Sequence, residues 1–470
     1  MTSVQNHLLP LNGNSIGILL FCLLIAGTSC ATRKIVNKPV PKPADKVVIN
    51  HKNPELPAKV DTLVWKENKD KISKADKAED KTMPKEIPPT GIEKKSNKKI
   101  TKEESLFRIV ALLPFKTVEN DSNATKINSS SLRYVHFFAG MQMAVQELEH
   151  TTGQKIVVNV HDAPSIDEVK SNLNKYEYRP PHLIIGPQKS DAVKYAAEWA
   201  KNHETSIISP WVSSSSITDK NPFYIQAKAG LNAHYNLINT HARKNFPVEN
   251  IFLISRSLEE SKEWIFNDST IYAQKIEEKI IKESDLASSN ELIVGSILKE
   301  NGPTVFILPM SSNKDENFIY HFLRRVSSEK DKKEVIVYGM YKWLEMKSDI
   351  IEYLNVQKIR ISLSNYIDND QNEIKTFKRR YFEKYREFPS EDVLEGYDIM
   401  KYSIQSLNTD GPDFQFKNIN KTVPCLETSF QIRPVYKSGK TPENSGEVDY
   451  FENAFVRIVE LRNNKFRVID

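Results

Sequence analysis

Cysteine is nearly missing from this chain of 470 residues, which holds only Cys22, Cys30 and Cys425. Two of the three fall in the first thirty residues. The rest of the chain therefore has a single thiol, which cannot close an intrachain bridge, so a disulfide scaffold is excluded. Cys425 reads as a small buried apolar residue rather than a nucleophile. Catalytic and nucleotide signatures are missing as well: there is no P-loop, no GxSxG, no HExxH, no CxxC and no EF-hand pattern. The ten histidines are scattered. His161-Asp162 stands at a strand end, where the Asp reads as a loop cap rather than part of a general base. His234 and His241 share a helix face two turns apart, with no third ligand to complete a metal site. No enzyme, cofactor or metal is read from these residues. Nor is a membrane span: the apolar run Ile16–Gly27 is too short to cross a bilayer comfortably.

What is present is sharply divided. The formal charge is +5, and residues 31–106 hold 19 Lys+Arg against 12 Asp+Glu. Residues 1–30 have no Lys, Arg, Asp or Glu, which leaves 107–470 at −2. A folded nucleic-acid reader concentrates its basic excess in the fold, so nucleic acid is excluded as a partner. The Lys- and Pro-rich stretch 31–106 has no sustained periodicity and too little apolar area to offset chain entropy. It is expected to be a disordered tether with an r.m.s. reach of roughly 50 Å. Before it, the run Ile16–Gly27 followed by Gly27-Thr28-Ser29-Cys30 resembles a bacterial lipoprotein signal. That resemblance implies a signal peptide over 1–30 and lipidation at Cys30. With no Asp after the Cys and no acidic run following, sorting rules imply the periplasmic leaflet of the outer membrane.

From Leu106 the pattern turns to βα alternation. Strands are expected at Arg108–Pro114, Lys155–Val160, His182–Ile185, Ser206–Ile208 and Phe223–Gln226, with helices at Leu132–Glu149, Ile166–Asn174 and Ser190–Asn202 between them. A second series follows, with strands at Asn250–Ile254, Thr304–Leu308, Glu334–Tyr338 and Ile359–Ser362. Helices are expected within Leu258–Lys279 and over Asn232–Lys244, Ser288–Lys299 and Glu316–Ser327. Two more helices, Gln371–Glu387 and Glu391–Leu407, precede a β-rich end at Ser429–Val435, Ala454–Leu461 and Lys465–Val468. Such alternation argues for parallel sheets with right-handed crossovers, an α/β fold. The most informative segment is His182–Gln226. Two β-runs there each end in a hydroxyl-bearing Pro turn, Gly186-Pro187-Gln188-Lys189-Ser190 and Ser209-Pro210-Trp211-Val212-Ser213. Open α/β sheets bind ligands at the carboxyl ends of adjacent strands.

Five segments in order, ALLPF, FFAGMQMAVQEL, IIGPQKS, IISPWVSSSSIT with FYIQ, and FEKYREFPSEDVLEGYDIMKYSIQSL, resemble the type I periplasmic binding proteins of the leucine/isoleucine/valine-binding, receptor-ligand-binding class. The resemblance implies two Rossmann-like lobes with parallel sheets, hinged by three crossovers. Lobe 1 is expected at 107–227 plus 364–424, and lobe 2 at 228–363 plus 425–470. It further implies closure on a small polar, amino-acid-like solute, with Ser190 and Ser213 at the hydroxyl positions and Trp211, Val212 and Ser214 beside them. The second lobe departs from the family pattern. No acidic residue follows Glu334–Tyr338 to meet a ligand ammonium, and a buried ammonium without one is costly. Arg256 and Tyr341, with Trp343, suit an anionic, sugar-like or aromatic ligand better. The function implied is a lipid-anchored substrate-binding protein serving an ABC permease or a sensor. The alternative is an interaction module, such as an outer-membrane lipoprotein that regulates a peptidoglycan synthase.

Overall fold

In a computed structural model of the protein the described residues are 106–469, apart from 121–126, 153–154, 289, 347, 418, 420, 437–446 and 464. The expected signal segment, Cys30 and nearly all of the tether lie outside them.

The first sheet is built around β1 (Leu106–Leu113), whose continuous apolar stretch marks a strand covered on both faces. β1 lies parallel between β2 (Lys155–Asp162) and β3 (Leu183–Ile185). β4 (Ser206–Ser209) and β5 (Tyr224–Gln226) continue the parallel order. Strand alternation sorts the side chains between two layers. Ile109, Ala111 and Leu113 pack on one side with α1 (Ser129–Thr152). Val110 and Leu112 pack on the other, beneath α2 (Ile166–Asn174) and α3 (Ser190–Asn202).

After β5 the chain crosses into the second sheet through α4 (Leu231–Asn245). That sheet is parallel through β6 (Ile251–Ser255), β7 (Glu277–Ile280), β8 (Thr304–Ile307), β9 (Val335–Met340) and β10 (Lys358–Leu363). α5 (Glu316–Glu329) and α6 (Ser348–Val356) also belong to this half. A second crossing returns the chain to α7 (Asn372–Tyr385) and α8 (Glu391–Asp410), which lie against the first sheet's core. β11 (Thr422–Pro424), β12 (Ser429–Val435) and β13 (Tyr450–Asn453) then extend the first sheet, with β13 parallel to β5. A third crossing, at 454–456, leads to β14 (Arg457–Arg462) and β15 (Lys465–Val468) on the second sheet.

The fold is α/β, with sheets of eight and seven strands in the orders β11-β12-β13-β5-β4-β3-β1-β2 and β15-β14-β10-β9-β8-β6-β7. The expected boundary at 425 is corrected. β12 and β13 complete the first lobe, and only residues after 456 join the second. The strand expected over Ala454–Leu461 begins only at Arg457; Ala454–Val456 are the crossing that follows β13. The helix expected within Leu258–Lys279 shrinks to Glu263–Phe266. Asp268 holds the Thr270 N–H (2.9 Å), an Asx turn that competes with helix, while Asn267 closes the loop by pairing with both backbone groups of Ile276. Likewise Ser288–Lys299 is not a helix. A short helix ends at Ser288 and one 3₁₀ turn spans Gly295–Ile297.

Two glycines fix the joint between α1 and α8. A Cβ on Gly140 would stand 1.9 Å from the Val393 carbonyl oxygen, and one on Gly396 would stand 2.0 Å from the Phe137 carbonyl oxygen. The helices thus touch backbone to backbone, which brings the amino-terminal turn of α8 beside Arg133 of α1.

Candidate functional site

That contact assembles the first wall of an interlobe cleft of about 450 Å³. Arg133 on α1 pairs with Asp392 on α8 at 3.3 Å. Lys228 on the first crossing pairs with Glu395, one helical turn further along, at 3.5 Å. The second oxygen of Glu395 accepts the Trp211 indole N–H at 3.0 Å. Burial pushes the Glu395 carboxyl up, while Lys228 and the indole oppose the shift. Leu344, just beyond β9, and Phe466 of β15 close the cleft from the second lobe.

The cleft floor is the second crossing, strapped to the turn before β12. Asn365 donates its amide to Glu427 Oε1 (3.0 Å), and the Tyr366 N–H donates to the Glu427 carbonyl (2.7 Å). Tyr366 Oη reaches across to the Phe466 carbonyl (2.7 Å), which ties the crossing to the second lobe. The turn itself hangs on Asp398. Its Oδ1 accepts the Leu426 N–H (2.7 Å), and its Oδ2 accepts those of Glu427 (2.9 Å) and Thr428 (3.3 Å). Burial pushes the Asp398 carboxyl up to about 7 against the pull of those three donors. Glu427 is raised by its own burial and then by Asp398 and Glu395 nearby.

Ser190 opens α3 at the end of β3, and Ser213 and Ser214 follow β4. All three are exposed. Ser214 is occupied by Ser216, hydroxyl to hydroxyl at 2.8 Å. The hydroxyls of Ser190 and Ser213 make no hydrogen bond among the described residues, and neither residue lines the 450 Å³ cleft. Trp211 is half-buried, its ring against Tyr134 (5.4 Å) and Phe137 (4.9 Å) of α1, so it props the wall through Glu395. Val212 packs on the core beneath α2 and α3.

On the second lobe a recess of about 280 Å³ opens where β6 and β8 end. Arg256 lines it, but its guanidinium forks onto Glu260 (2.8 and 2.9 Å) and lies 3.5 Å from Asp315. The charge read as open to an anionic ligand is therefore already met by two carboxylates. Tyr341 tilts against His234 at 4.9 Å, and Trp343 is fully buried, donating to the Met310 carbonyl (2.9 Å). Trp343 therefore cannot face a ligand.

The two histidines singled out on α4 are accounted for by local bonds. Burial lowers His234 to about 4, and it shares a hydrogen bond with Ser362. His241 meets Tyr338 Oη at 2.6 Å. Asp162 accepts the Lys116 and Thr117 N–H groups, so it caps the loop after β1 and not the one that follows it. Among the described residues no group of three or more metal-ligating side chains comes together.

The charged lining, Arg133, Lys228, Asp392, Glu395 and Glu427, was missed from sequence. A usable signal was Glu391, Asp392 and Glu395 at the start of a helix, where Glu395 stands four and three residues from the other two carboxylates and so shares a face with them. Their partners sit on other segments and had no signal of their own.

The chain matches no protein-family model, and no curated protein matches it. Solved structures do. A Rhodospirillum rubrum protein described as a branched-chain amino acid ABC transporter aligns with a TM-score of 0.53 at 12% identity, over 77% of this chain and 100% of its own. An ABC transporter substrate-binding protein from Desulfitobacterium hafniense in complex with leucine gives 0.45 at 11% identity, over 77% and 100%. A solute-binding protein from Rhodopseudomonas palustris BisB5, in complex with 3,4-dihydroxybenzoic acid, gives 0.41 at 16% identity, over 78% and 96%. The first likeness shows the fold, two α/β lobes of the type I periplasmic binding protein kind. A fold hosts many functions, so function must be argued from the site.

Proposed function

We propose that this chain is a solute receptor whose lobes close on a small polar ligand and hand it to an ABC permease or sensor. One observation carries the reading: the 450 Å³ cleft draws its walls from both lobes and its floor from the crossings between them. Any molecule held there touches the parts that move in hinge closure, and a ligand preferring the closed geometry shifts the population toward it. Charged groups of both signs in the lining suit an amino-acid-like solute, because a zwitterion can exchange partners with the Arg133–Asp392 and Lys228–Glu395 pairs. Ser190, Ser213 and Ser214, with the backbone at Trp211 and Val212, would add hydroxyl and amide contacts once the lobes approach. Arg256 and Tyr341 would meet the ligand from the other side. In the same reading Cys30 carries the lipid, residues 31–106 are the tether, and the lobes stand in the periplasm on the outer membrane's inner leaflet.

A second reading, an anchored interaction module acting on a cell-wall synthase, is favoured by one finding: both cations of the cleft already pair with its own carboxylates. The test is small-angle scattering and thermal unfolding of the whole chain with a panel of amino acids, sugars and aromatic acids. A receptor compacts and gains about 2.7 kcal/mol at 100 times Kd for its solute. No compaction with any solute, together with co-purification of a wall synthase, refutes the receptor reading.

A further inference from the structure

A second recess, of about 470 Å³, lies between α4 and the β12–β13 ladder and shares no lining residue with the interlobe cleft. Its centre is an unusual pair. Arg433 and Glu452 stand directly opposite each other in the antiparallel register, on one face of the sheet, and both line the recess. Opposite charges so placed ordinarily pair across the strands. Here they do not, and neither side chain makes an ion pair or hydrogen bond among the described residues.

Glu452 is mostly buried, and its carboxyl also abuts the first crossing, since a Cβ on Gly230 would come within 2.9 Å of Oε2. Burial alone pushes this carboxyl up to about 7. Thr240 and Asn236 of α4 supply a hydroxyl and an amide, and Leu237 with Phe455 supplies apolar surface.

We propose that this recess is a second binding site, for a dipolar small molecule whose cationic nitrogen meets Glu452 and whose anionic oxygens meet Arg433. Such an occupant bridges two charges that the fold sets side by side and leaves unjoined. α4 belongs to the second lobe, β12–β13 to the first, and Phe455 to the third crossing. A molecule lodged among them is therefore linked to the hinge angle, and it changes affinity in the interlobe cleft by the same factor that a cleft ligand changes its own. The site stands whether or not the interlobe cleft binds a solute.

The experiment is calorimetric titration of the full chain with the ω-amino acid series from glycine through 4-aminobutyrate to 6-aminohexanoate, which varies charge spacing, and with butane-1,4-diamine. At least one ω-amino acid is expected to bind, with at least tenfold loss in Glu452→Gln and in Arg433→Gln. The diamine, lacking a group for Arg433, is expected to bind at least tenfold more weakly. Glu395→Gln, which touches the interlobe cleft and not the recess, is expected to lower the affinity less than either recess variant. Far-UV dichroism confirms that each variant is folded. No binding across the series, or binding unchanged in both Glu452→Gln and Arg433→Gln, overturns the proposal. So does loss in Glu395→Gln with retention in Glu452→Gln, which would place the ligand in the other cleft.

Discussion

Replacing Gly396 with Ala tests the joint on which the cleft wall depends. The new Cβ would begin 2.0 Å from the Phe137 carbonyl oxygen, about 1.4 Å short of ordinary contact at 3.4 Å. The obstacle is helix backbone, which cannot rotate aside as a side chain can, so α1 and α8 must separate by an ångström or more. Overpacking of this kind costs about 1–3 kcal/mol. The gap it opens around buried Phe137, Met141 and Met400 adds lost dispersion, since a radial gap of ~0.5–1 Å forfeits a quarter to a half of each contact. We expect a loss of about 3 kcal/mol in urea unfolding, with the slope unchanged. Gly140→Ala attacks the same joint from the other side, at 1.9 Å from Val393. Once the helices have parted, the second methyl group enters cheaply, so the double variant is expected to lose less than the sum of the singles. Trp211 supplies a local readout, because it packs on Phe137 and bonds to Glu395. Its emission, isolated by comparison with Trp211→Phe, is expected to shift in Gly396→Ala. A stability loss below about 1 kcal/mol, or strict additivity of the two glycine changes, would refute the reasoning.

Further expectations follow from single side chains. Asp398→Ala leaves two buried N–H groups and a partly buried one without an acceptor and is expected to cost about 3 kcal/mol in urea unfolding, with Asn restoring part of it; an unchanged midpoint would contradict the anchoring role. Glu452, raised from 4.5 to about 7, favours the folded state fully below pH 4.5, and that contribution is lost as pH climbs through 7. Wild-type stability should thus fall by up to roughly 3 kcal/mol between pH 4.5 and 8 relative to Glu452→Gln; parallel pH profiles for the two proteins would rule this out. Ser190→Ala and Ser213→Ala remove exposed, unbonded hydroxyls, so melting should move by less than about 0.5 kcal/mol. Under the receptor reading each weakens solute binding severalfold, and unchanged affinity in both would remove these serines from the site.

Most of the fold could be read from the chain because its strands are short buried apolar runs punctuated by turns, as at Ile184, Ile207 and Leu253. The reading failed where side chains compete with the backbone. Asn267 and Asp268 dismantle a helix that apolar spacing alone supports. It failed again at Ala454–Phe455–Val456, where β propensity continues through a change of sheet, because propensity records extension and not partner. The hydroxyl turns were correctly placed at the ends of β3 and β4. The charged cleft was not legible, because Arg133, Lys228 and Glu395 are far apart in sequence and meet only through the crossing of α1 with α8 and the return of the chain at the first crossing. Arg256 shows the converse: its charge was plain in the sequence, while its neutralisation by Glu260 and Asp315 depends on how a loop and the start of α5 come together.

The return of β12 and β13 to the first sheet has a consequence for biosynthesis. A nascent polypeptide that stops anywhere before Tyr450 leaves β5 with one flank bare, since the strand that should lie against it has not yet been made. The lobe that starts first must wait for Phe451, and β14 and β15 serve only the other one.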